Sequence, residues 1–341
     1  MTKMTRIALA TLAVMGATTA MAQSSVTLYG RINTTVEHQK LGDTSVTGLV
    51  NNASRFGFRG TEDLGGGLKA GFVLESGFSS DTGAAASTFF GRQSEVNLSG
   101  NFGMVRLGNF FPESYYASAD YVSMHNHDTG PSSDALYLDP VFFGKLGTGN
   151  KIAYRTPTMG SFWAEGAMSL HEKGKDSGGV AIPQKNGYDL AANYNTGALH
   201  LGAGFSKVDK DWQGSLRALY TFGQFTVGGY YQRNHEGSVW GLDRGNRNNF
   251  RLSGMYTLGA SELHANVGHA NSWSKQSDSG ATQWTLGYNY NLSKRTKVYT
   301  YYTRINNQSN ANYTAGGTIS SLASGAGKDF SSFALGVRHN F

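Results

Sequence analysis

Hydrophobic and polar residues alternate with a period of two along most of the chain. Near the carboxyl end, one side of the pattern is apolar and the other is polar or small: Phe333, Leu335, Val337, His339 and Phe341 against Ala334, Gly336, Arg338 and Asn340. Because successive side chains of a β-strand point to opposite faces, this rhythm predicts strands with one apolar and one polar face.

Sixteen segments carry this pattern: 25–38, 53–63, 68–79, 89–99, 104–111, 150–157, 162–172, 187–196, 199–208, 212–222, 225–235, 248–258, 262–273, 281–292, 296–306 and 330–341. Short Gly/Asn/Asp/Ser turns alternate with longer polar, glycine-rich runs near 40–52, 80–88, 173–186, 236–247, 274–280 and 307–329. An even number of amphipathic strands joined in this way predicts an all-β fold, a closed transmembrane antiparallel β-barrel of 16 strands. The long runs are expected to be exposed loops.

Composition supports strands rather than helices. The chain has 46 glycines, 5 prolines and 12% aromatic residues. Each glycine inside a helix costs about 1 kcal/mol relative to alanine, whereas Tyr, Phe, Val and Thr suit a pleated surface. After Ala22 no apolar stretch approaches the ~20 residues of a spanning helix. The absence of cysteine excludes disulfides and thiolate sites.

The amino-terminal residues 1–22 have the features of a cleaved signal peptide. Lys3 and Arg6 precede an uncharged run that ends in the small-residue pattern from Ala20 to Ala22. We therefore expect the mature chain to begin at Gln23 and to form one barrel over residues 23–341.

The alternative to a membrane barrel is a large secreted soluble β-protein, since the strands of a β-sandwich also alternate polar and apolar side chains. Two features favour the membrane barrel. Aromatic residues recur at strand ends, as in interfacial girdles, and the chain stops on Phe341 at the end of an amphipathic strand.

Several stretches resemble the general trimeric porins of Gram-negative bacteria, especially the neisserial and β-proteobacterial type. The resemblance covers the whole chain, and the stretch 54–70 is long enough to be specific. The matching stretches are 25–30 (SVTLYG), 54–70 (SRFGFRGTEDLGGGLKA), 103–108 (GMVRLG), 290–296 (YNLSKRT) and 335–341 (LGVRHNF).

The resemblance implies a sixteen-stranded barrel in the bacterial outer membrane that passes small hydrophilic solutes and ions by diffusion. It also implies a homotrimer surrounded by outer-membrane lipid and lipopolysaccharide, and a third long loop folded into the lumen. No cofactor or metal is implied.

The segment 111–149 is the candidate for this constriction loop because it is the longest stretch without clean alternation. It also holds three of the five prolines. Its acidic residues outnumber its one basic residue, Lys145: Glu113, Asp120, Asp128, Asp134 and Asp139. Glu113 and Asp120 are our site candidates within it.

Four arginines on the polar sides of early strands are the matching wall candidates: Arg31, Arg55, Arg59 and Arg106. A charge facing lipid at the midplane costs ~2–4 kcal/mol, so these side chains are expected to point inward. The alternation leaves Arg92 open, because Val96 and Leu98 would turn it outward unless a bulge shifts the register.

The basic wall and the acidic loop together predict a transverse field that filters solutes by charge. The bland interpretation is that some of these charges only tie the loop to the wall. Both can hold. The opposing charges leave the direction of selectivity open, with the wall favouring a modest anion preference.

Enzymatic and nucleic-acid functions have little support. The chain lacks nucleophile-elbow, zinc-protease, P-loop, EF-hand and dinucleotide motifs. His125 and His127 lack an obvious third metal ligand. No basic run suits nucleic acid. A barrel enzyme and a surface adhesin remain the alternatives to a passive pore.

Overall fold

The structure is a computed structural model that describes residues 25–120, 122, 133–142, 149–172, 185–237, 243–322 and 325–341. The predicted signal peptide lies outside the described residues. Seventeen strand segments form one sheet in the described part of the chain. They are β1 (Ser25–Leu41), β2 (Thr44–Asn51), β3 (Arg55–Gly65), β4 (Leu68–Gly77), β5 (Gln93–Gly100), β6 (Gly103–Asn109), β7 (Lys151–Arg155), β8 (Phe162–Ser169), β9 (Gly187–Asn195), β10 (Leu199–Val208), β11 (Asp211–Phe222), β12 (Phe225–Glu236), β13 (Gly245–Leu258), β14 (Ser261–Ala270), β15 (Ala281–Asn291), β16 (Thr296–Asn307) and β17 (Phe330–Asn340).

The sheet closes on itself because β1 pairs with β17 in antiparallel register, from Arg31 opposite Asn340 to Leu41 opposite Phe330. Segments β2 and β3 are two parts of one barrel strand, since both pair with β1, β2 along its second half and β3 along its first. The predicted all-β barrel of sixteen antiparallel strands is therefore confirmed.

The interruption between β2 and β3 is sealed by side chains. Ser54 Oγ accepts a hydrogen bond from the Asn33 backbone nitrogen at 3.0 Å, and the Asn33 side chain donates to the Asn52 carbonyl at 3.1 Å. Ala53 between them has a positive φ of 54°. These bonds leave the ladder satisfied across the break, as a membrane barrel requires.

The two faces of the sheet differ as the alternation predicts. On β1, Ile32 and Val36 are 48% and 51% exposed on the outside, whereas Asn33, Thr35 and Glu37 are buried on the inside. The same outward rows of Leu, Val, Phe and Tyr continue around the barrel. The interior is therefore polar and the outer belt apolar, which suits lipid outside and water within.

One loop prediction was wrong. The run 40–52 was expected to be an exposed loop, but β1 extends to Leu41 and β2 returns from Thr44 along it. Here the apolar side faces inward, because Leu41 and Val46 pack in a buried cluster with Ile305, Phe330 and others. The outward positions are mostly polar, so the usual membrane pattern is reversed in this hairpin.

The described part of 111–149 contains one short helix, α1 (Glu113–Ser118). No helix among the described ranges is long and apolar enough to cross a membrane. Helix α1 contacts β9, β10 and β11, and residues 133–142 also lie against the inner wall. The described parts of the long loop, α1 and residues 133–142, therefore lie inside the barrel.

Candidate functional site

Helix α1 packs against the inner face of β10 where that strand has no side chains. A β-carbon on Gly202 would lie 1.8 Å from the Ala117 carbonyl oxygen, and one on Gly204 would lie 2.8 Å from the Ser114 carbonyl oxygen. Such distances are far below van der Waals contact. The two glycines therefore form the seat in which the loop helix rests.

A cluster of serines and carboxylates fastens α1 to the wall. Ser206 Oγ lies 2.9 Å from Oδ2 of both Asp139 and Asp189, and 2.9 Å from Ser114 Oγ. Ser114 Oγ also donates to Asp189, while Asp139 Oδ1 accepts two backbone N–H bonds within its own loop. Two loop residues and two wall residues thus share one buried network.

The second part of the loop follows the wall from β12 to β15. Gln232 exchanges two hydrogen bonds with the backbone of Leu138, at 2.7 and 3.3 Å. Arg251 pairs with Asp134 at 3.1 Å, and both side chains are 1% exposed. Gln283 donates to the Ser133 carbonyl at 2.8 Å. The loop is therefore fixed to one side of the lumen.

Five charged residues form a chain of ion pairs from the wall to α1. Arg106 donates two 3.0 Å bonds to Glu165 and one 2.7 Å bond to Glu95. Arg155 bridges Glu165 at 2.8 Å and Glu113 at 2.7 Å. Glu113 thus fixes the loop to the wall through an ion pair, which is a structural role for an acidic residue of the loop.

The protonation of Glu113 depends on its burial. The pKa of Glu113 is raised from 4.5 to about 7, mainly by burial; the Arg155 guanidinium opposes the shift and the Glu165 carboxylate adds to it. The carboxyl group therefore changes charge near neutral pH, beside an open cavity of about 600 Å³ that Arg106, Arg155 and Arg217 also border.

A second cluster, on β1, β3, β4 and the residue before β5, contains three arginines and one carboxylate. Glu75 lies 2.6 Å from Arg92 Nε and 3.8 Å from Arg55 Nε. Tyr29 donates to the same carboxylate at 3.1 Å, and the Arg59 guanidinium lies over the Tyr29 ring at 5.2 Å. Positive charge exceeds negative charge in this group of side chains.

The orientation of Arg92, which alternation left open, follows from the start of β5. That strand begins at Gln93, so Arg92 precedes the ladder and is not bound by its alternation. Its side chain contacts Glu75 and the Phe111 ring, 5.5 Å from the guanidinium carbon. Arg92 therefore lies inside the barrel.

Two further inward cations flank Arg31 and were missed at the level of sequence. Arg31 donates to Asn340 Oδ1 at 3.0 Å. Arg338 stands opposite Asn33 on β1 and opposite Lys297 on β16. The alternation of 330–341 already placed Arg338 on the polar side, and the same rule applied to 296–306 places Lys297 there.

The remaining candidates have limited roles in the described geometry. Asp120 is 9% exposed just beyond α1. Asp128, Lys145, His125 and His127 lie outside the described residues. Of the named candidates, Glu113 and Arg106 meet in one ion-pair chain. Arg55 and Arg59 lie in the second cluster, and Arg31 stands directly opposite Arg55 on the neighbouring strand.

The chain is similar to known outer-membrane proteins along most of its length. The family model described as Gram-negative porin matches residues 8–311. Outer membrane porin protein 32 of Delftia acidovorans is 35% identical over 99% of this chain and 100% of that protein. Major outer membrane protein P.IB of Neisseria meningitidis serogroup A is 28% identical over 66% of this chain and 80% of that protein.

A solved structure gives the same result. The anion-selective porin from Comamonas acidovorans superposes with a TM-score of 0.75 at 30% sequence identity, covering 94% of this chain and 100% of that one. Sequence and fold thus point to the same group of proteins.

Proposed function

The chain belongs to the Gram-negative porin family, and from this premise we propose that it is a charge-filtering diffusion channel with a preference for anions. As a member of this family it is an outer-membrane channel and not an enzyme. The proposal concerns the filter: segment 111–149 narrows the lumen, and basic side chains on the wall select the permeating ions.

The proposal rests on a difference between the acidic side chains of the loop and the basic side chains of the wall. Glu113 is paired with Arg155, Asp134 with Arg251, and Asp139 with serines and backbone N–H groups. Each described loop carboxylate named here has a cationic or hydrogen-bonding partner, so these carboxylates do not leave the lumen with an excess of negative charge.

The wall differs, because its cations outnumber its anions. Arg55 and Arg92 contact Glu75, and Arg59 lies over the neighbouring Tyr29 ring. Arg31 stands directly opposite Arg55, and the row of inward cations continues to Arg338 and Lys297 on β17 and β16. A surplus of fixed positive charge in a narrow lumen attracts anions and repels cations. The anion-selective relative from Comamonas acidovorans supports the same direction.

The rest of the proposal concerns assembly. We infer a homotrimer embedded in outer-membrane lipid and lipopolysaccharide, formed after removal of residues 1–22. Small hydrophilic solutes and ions are the permeants. No nucleic-acid contact is expected.

Reconstitution in planar lipid bilayers tests the pore directly. Folded protein, identified by its heat-dependent mobility in gel electrophoresis, should give ohmic, trimer-sized conductance steps that close in thirds. Folded protein that inserts without conductance would overturn the channel, and steps that close only as a whole would overturn the trimer of three pores.

A further inference from the structure

The outer surface of β10–β12 changes character towards the end of the barrel that carries the long connections. Lys207, Trp212 and His235 stand side by side on the three strands, as the register places them opposite one another. The Trp212 ring stacks on His235 at 6.1 Å with 20° between the planes. This row is polar and aromatic, as expected at a membrane interface.

The next outward row holds Phe205, Gly214 and Arg233. Arg233 is exposed and donates to Asn248 Oδ1 at 3.3 Å. Because Gly214 has no side chain, the row has a gap between Phe205 and Arg233. A β-carbon there would meet only Phe205, at 3.9 Å.

Below this gap runs an apolar groove of about 450 Å³ on the lipid-facing surface. Its floor is formed by small residues, Ala192, Ala203 and Gly214, and larger side chains border it, Leu190, Leu216 and Tyr231. The bordering leucines are 57% and 63% exposed. The lining of the groove is mainly apolar, which favours contact with an acyl chain.

The charges on the outer face of the barrel indicate which kind of molecule occupies the groove. In the half of the described strands nearest the long connections, the outward ionisable residues are all basic or histidine: His38, Lys40, Lys207, Arg233, His235, His269 and Arg304. The carboxylates of the neighbouring strands, Asp189, Asp211 and Glu236, are buried inside. Within the described strands, a second copy in the same orientation therefore has no outward carboxylate at this height to offer this surface.

Arg304 has its own carboxylate partner, Asp329, at 2.9 Å. Among the described residues Lys207 and Arg233 have no such partner. Two exposed cations above an apolar groove match a lipid with a phosphorylated headgroup, because guanidinium and ammonium groups bind phosphate oxygens through charge-assisted hydrogen bonds.

We propose that Lys207 and Arg233 bind the phosphate groups of a lipopolysaccharide molecule in the outer leaflet, while one of its acyl chains lies in the groove at Gly214. The proposal deepens the lipopolysaccharide contact inferred above and rests on the barrel standing with its long connections outside the cell.

The test uses the full barrel, refolded in detergent and titrated with purified lipopolysaccharide. K207Q/R233Q should weaken binding at least tenfold. K294Q/R295Q is the matched control, since it removes one lysine and one arginine from an exposed turn at the opposite end, and it should stay within twofold of the unchanged protein. Dephosphorylated lipopolysaccharide should bind the unchanged protein as weakly as the phosphorylated form binds K207Q/R233Q.

A second variant tests the groove independently of charge. Gly214→Leu fills the gap with an apolar side chain that lipid tolerates, and it should weaken lipopolysaccharide binding several-fold with both cations in place. Undiminished binding by K207Q/R233Q, or equal binding of the dephosphorylated lipid, would overturn the proposal. A change of oligomeric state in K207Q/R233Q without a change in lipid affinity would instead make this face a subunit contact and also overturn it.

Bilayer recordings separate this proposal from that of the channel. Both substituted residues lie outside the lumen, so conductance and ion selectivity of K207Q/R233Q should equal those of the unchanged protein in phosphatidylcholine. If the unchanged protein gave no conductance, the channel proposal would be wrong. The lipopolysaccharide proposal would still be decided by the binding titration.

Discussion

Arg155 donates a 2.7 Å hydrogen bond from Nη2 to Oε2 of Glu113, and this ion pair joins the barrel wall to the helix inside the lumen. The pair lies at the border of an open cavity, with the Arg155 guanidinium resting over the Trp163 ring at 4.4 Å. The Glu113 carboxylate therefore both holds the loop helix against the wall and contributes to the charge of the lumen.

The first prediction concerns pH. Burial raises the pKa of Glu113 from 4.5 to about 7, so the carboxylate gains a proton as the pH falls from 8 to 6. The lumen then loses one negative charge beside Arg155, and anion preference should increase with a midpoint near pH 7. Reversal potentials in a salt gradient, measured across this range, give the result.

Glu113→Gln separates this titration from others. The variant should show the low-pH selectivity at every pH, whereas Glu62→Gln, on the exposed outer face, should titrate like the unchanged protein. Because the imidazole of His200 borders the same cavity, the comparison is repeated with His200→Gln. An undiminished step near pH 7 in Glu113→Gln would assign the titration to another group.

The same shift has a consequence for loop docking. A raised carboxyl pKa means that the folded protein binds the proton more tightly than the unfolded chain does. The stabilising contribution is therefore complete below pH 4.5 and is lost as the pH rises through 7. The free energy of unfolding of Glu113→Gln should vary less over this range than that of the unchanged protein.

Arg106 should matter for stability more than for selectivity. It holds the carboxylates of Glu95 and Glu165, whose side chains are 4% and 0% exposed. Arg106→Ser leaves these buried charges short of a partner and should lower the free energy of unfolding by about 3–5 kcal/mol. Urea titration of the barrel in lipid vesicles measures the loss.

Arg106→Lys is the matched control. It keeps the charge, but one ammonium cannot replace a guanidinium that binds Glu165 through Nη1 and Glu95 through Nη2, so its loss should be intermediate. Equal stability of Arg106→Ser and the unchanged protein would mean that water, rather than Arg106, compensates Glu95 and Glu165.

Gly202 should control the position of the loop helix. A β-carbon at this site would overlap the Ala117 carbonyl oxygen, so Gly202→Ala should displace α1 from the wall and change the single-channel conductance. Overpacking of this kind costs about 1–3 kcal/mol. Gly254→Ala, where a β-carbon meets nothing within 4 Å, should leave conductance unaltered. Identical conductance in the two variants would contradict the helix seat.

The sequence predicts much of this architecture because lipid and water impose a period of two on each strand. The rule places Arg31, Arg59 and Arg106 on the inner face without any knowledge of their partners. It is wrong for the hairpin at 40–52, where Leu41 and Val46 face an apolar cluster inside the rim. In this hairpin the apolar environment is formed by residues that are distant in the sequence, such as Ile305 and Phe330.

The contacts of the loop cannot be predicted from the local sequence pattern for a similar reason. Glu113 reaches Arg155 across 42 positions, and Ser114 reaches Ser206 across 92. Alternation cannot report which inward residues meet, since that depends on where a loop without periodicity lies in the lumen. It also cannot place Arg92, because the strand that would fix its side begins one residue later.

Selectivity is the central claim, and the reversal potential across a planar bilayer in a KCl gradient tests it most directly. We expect the unchanged protein to give the sign of an anion-preferring channel, and R31S/R59S to shift the potential toward that of a cation-preferring channel while the protein remains a folded barrel. A cation-preferring unchanged protein, or a potential unmoved by R31S/R59S, would contradict the account.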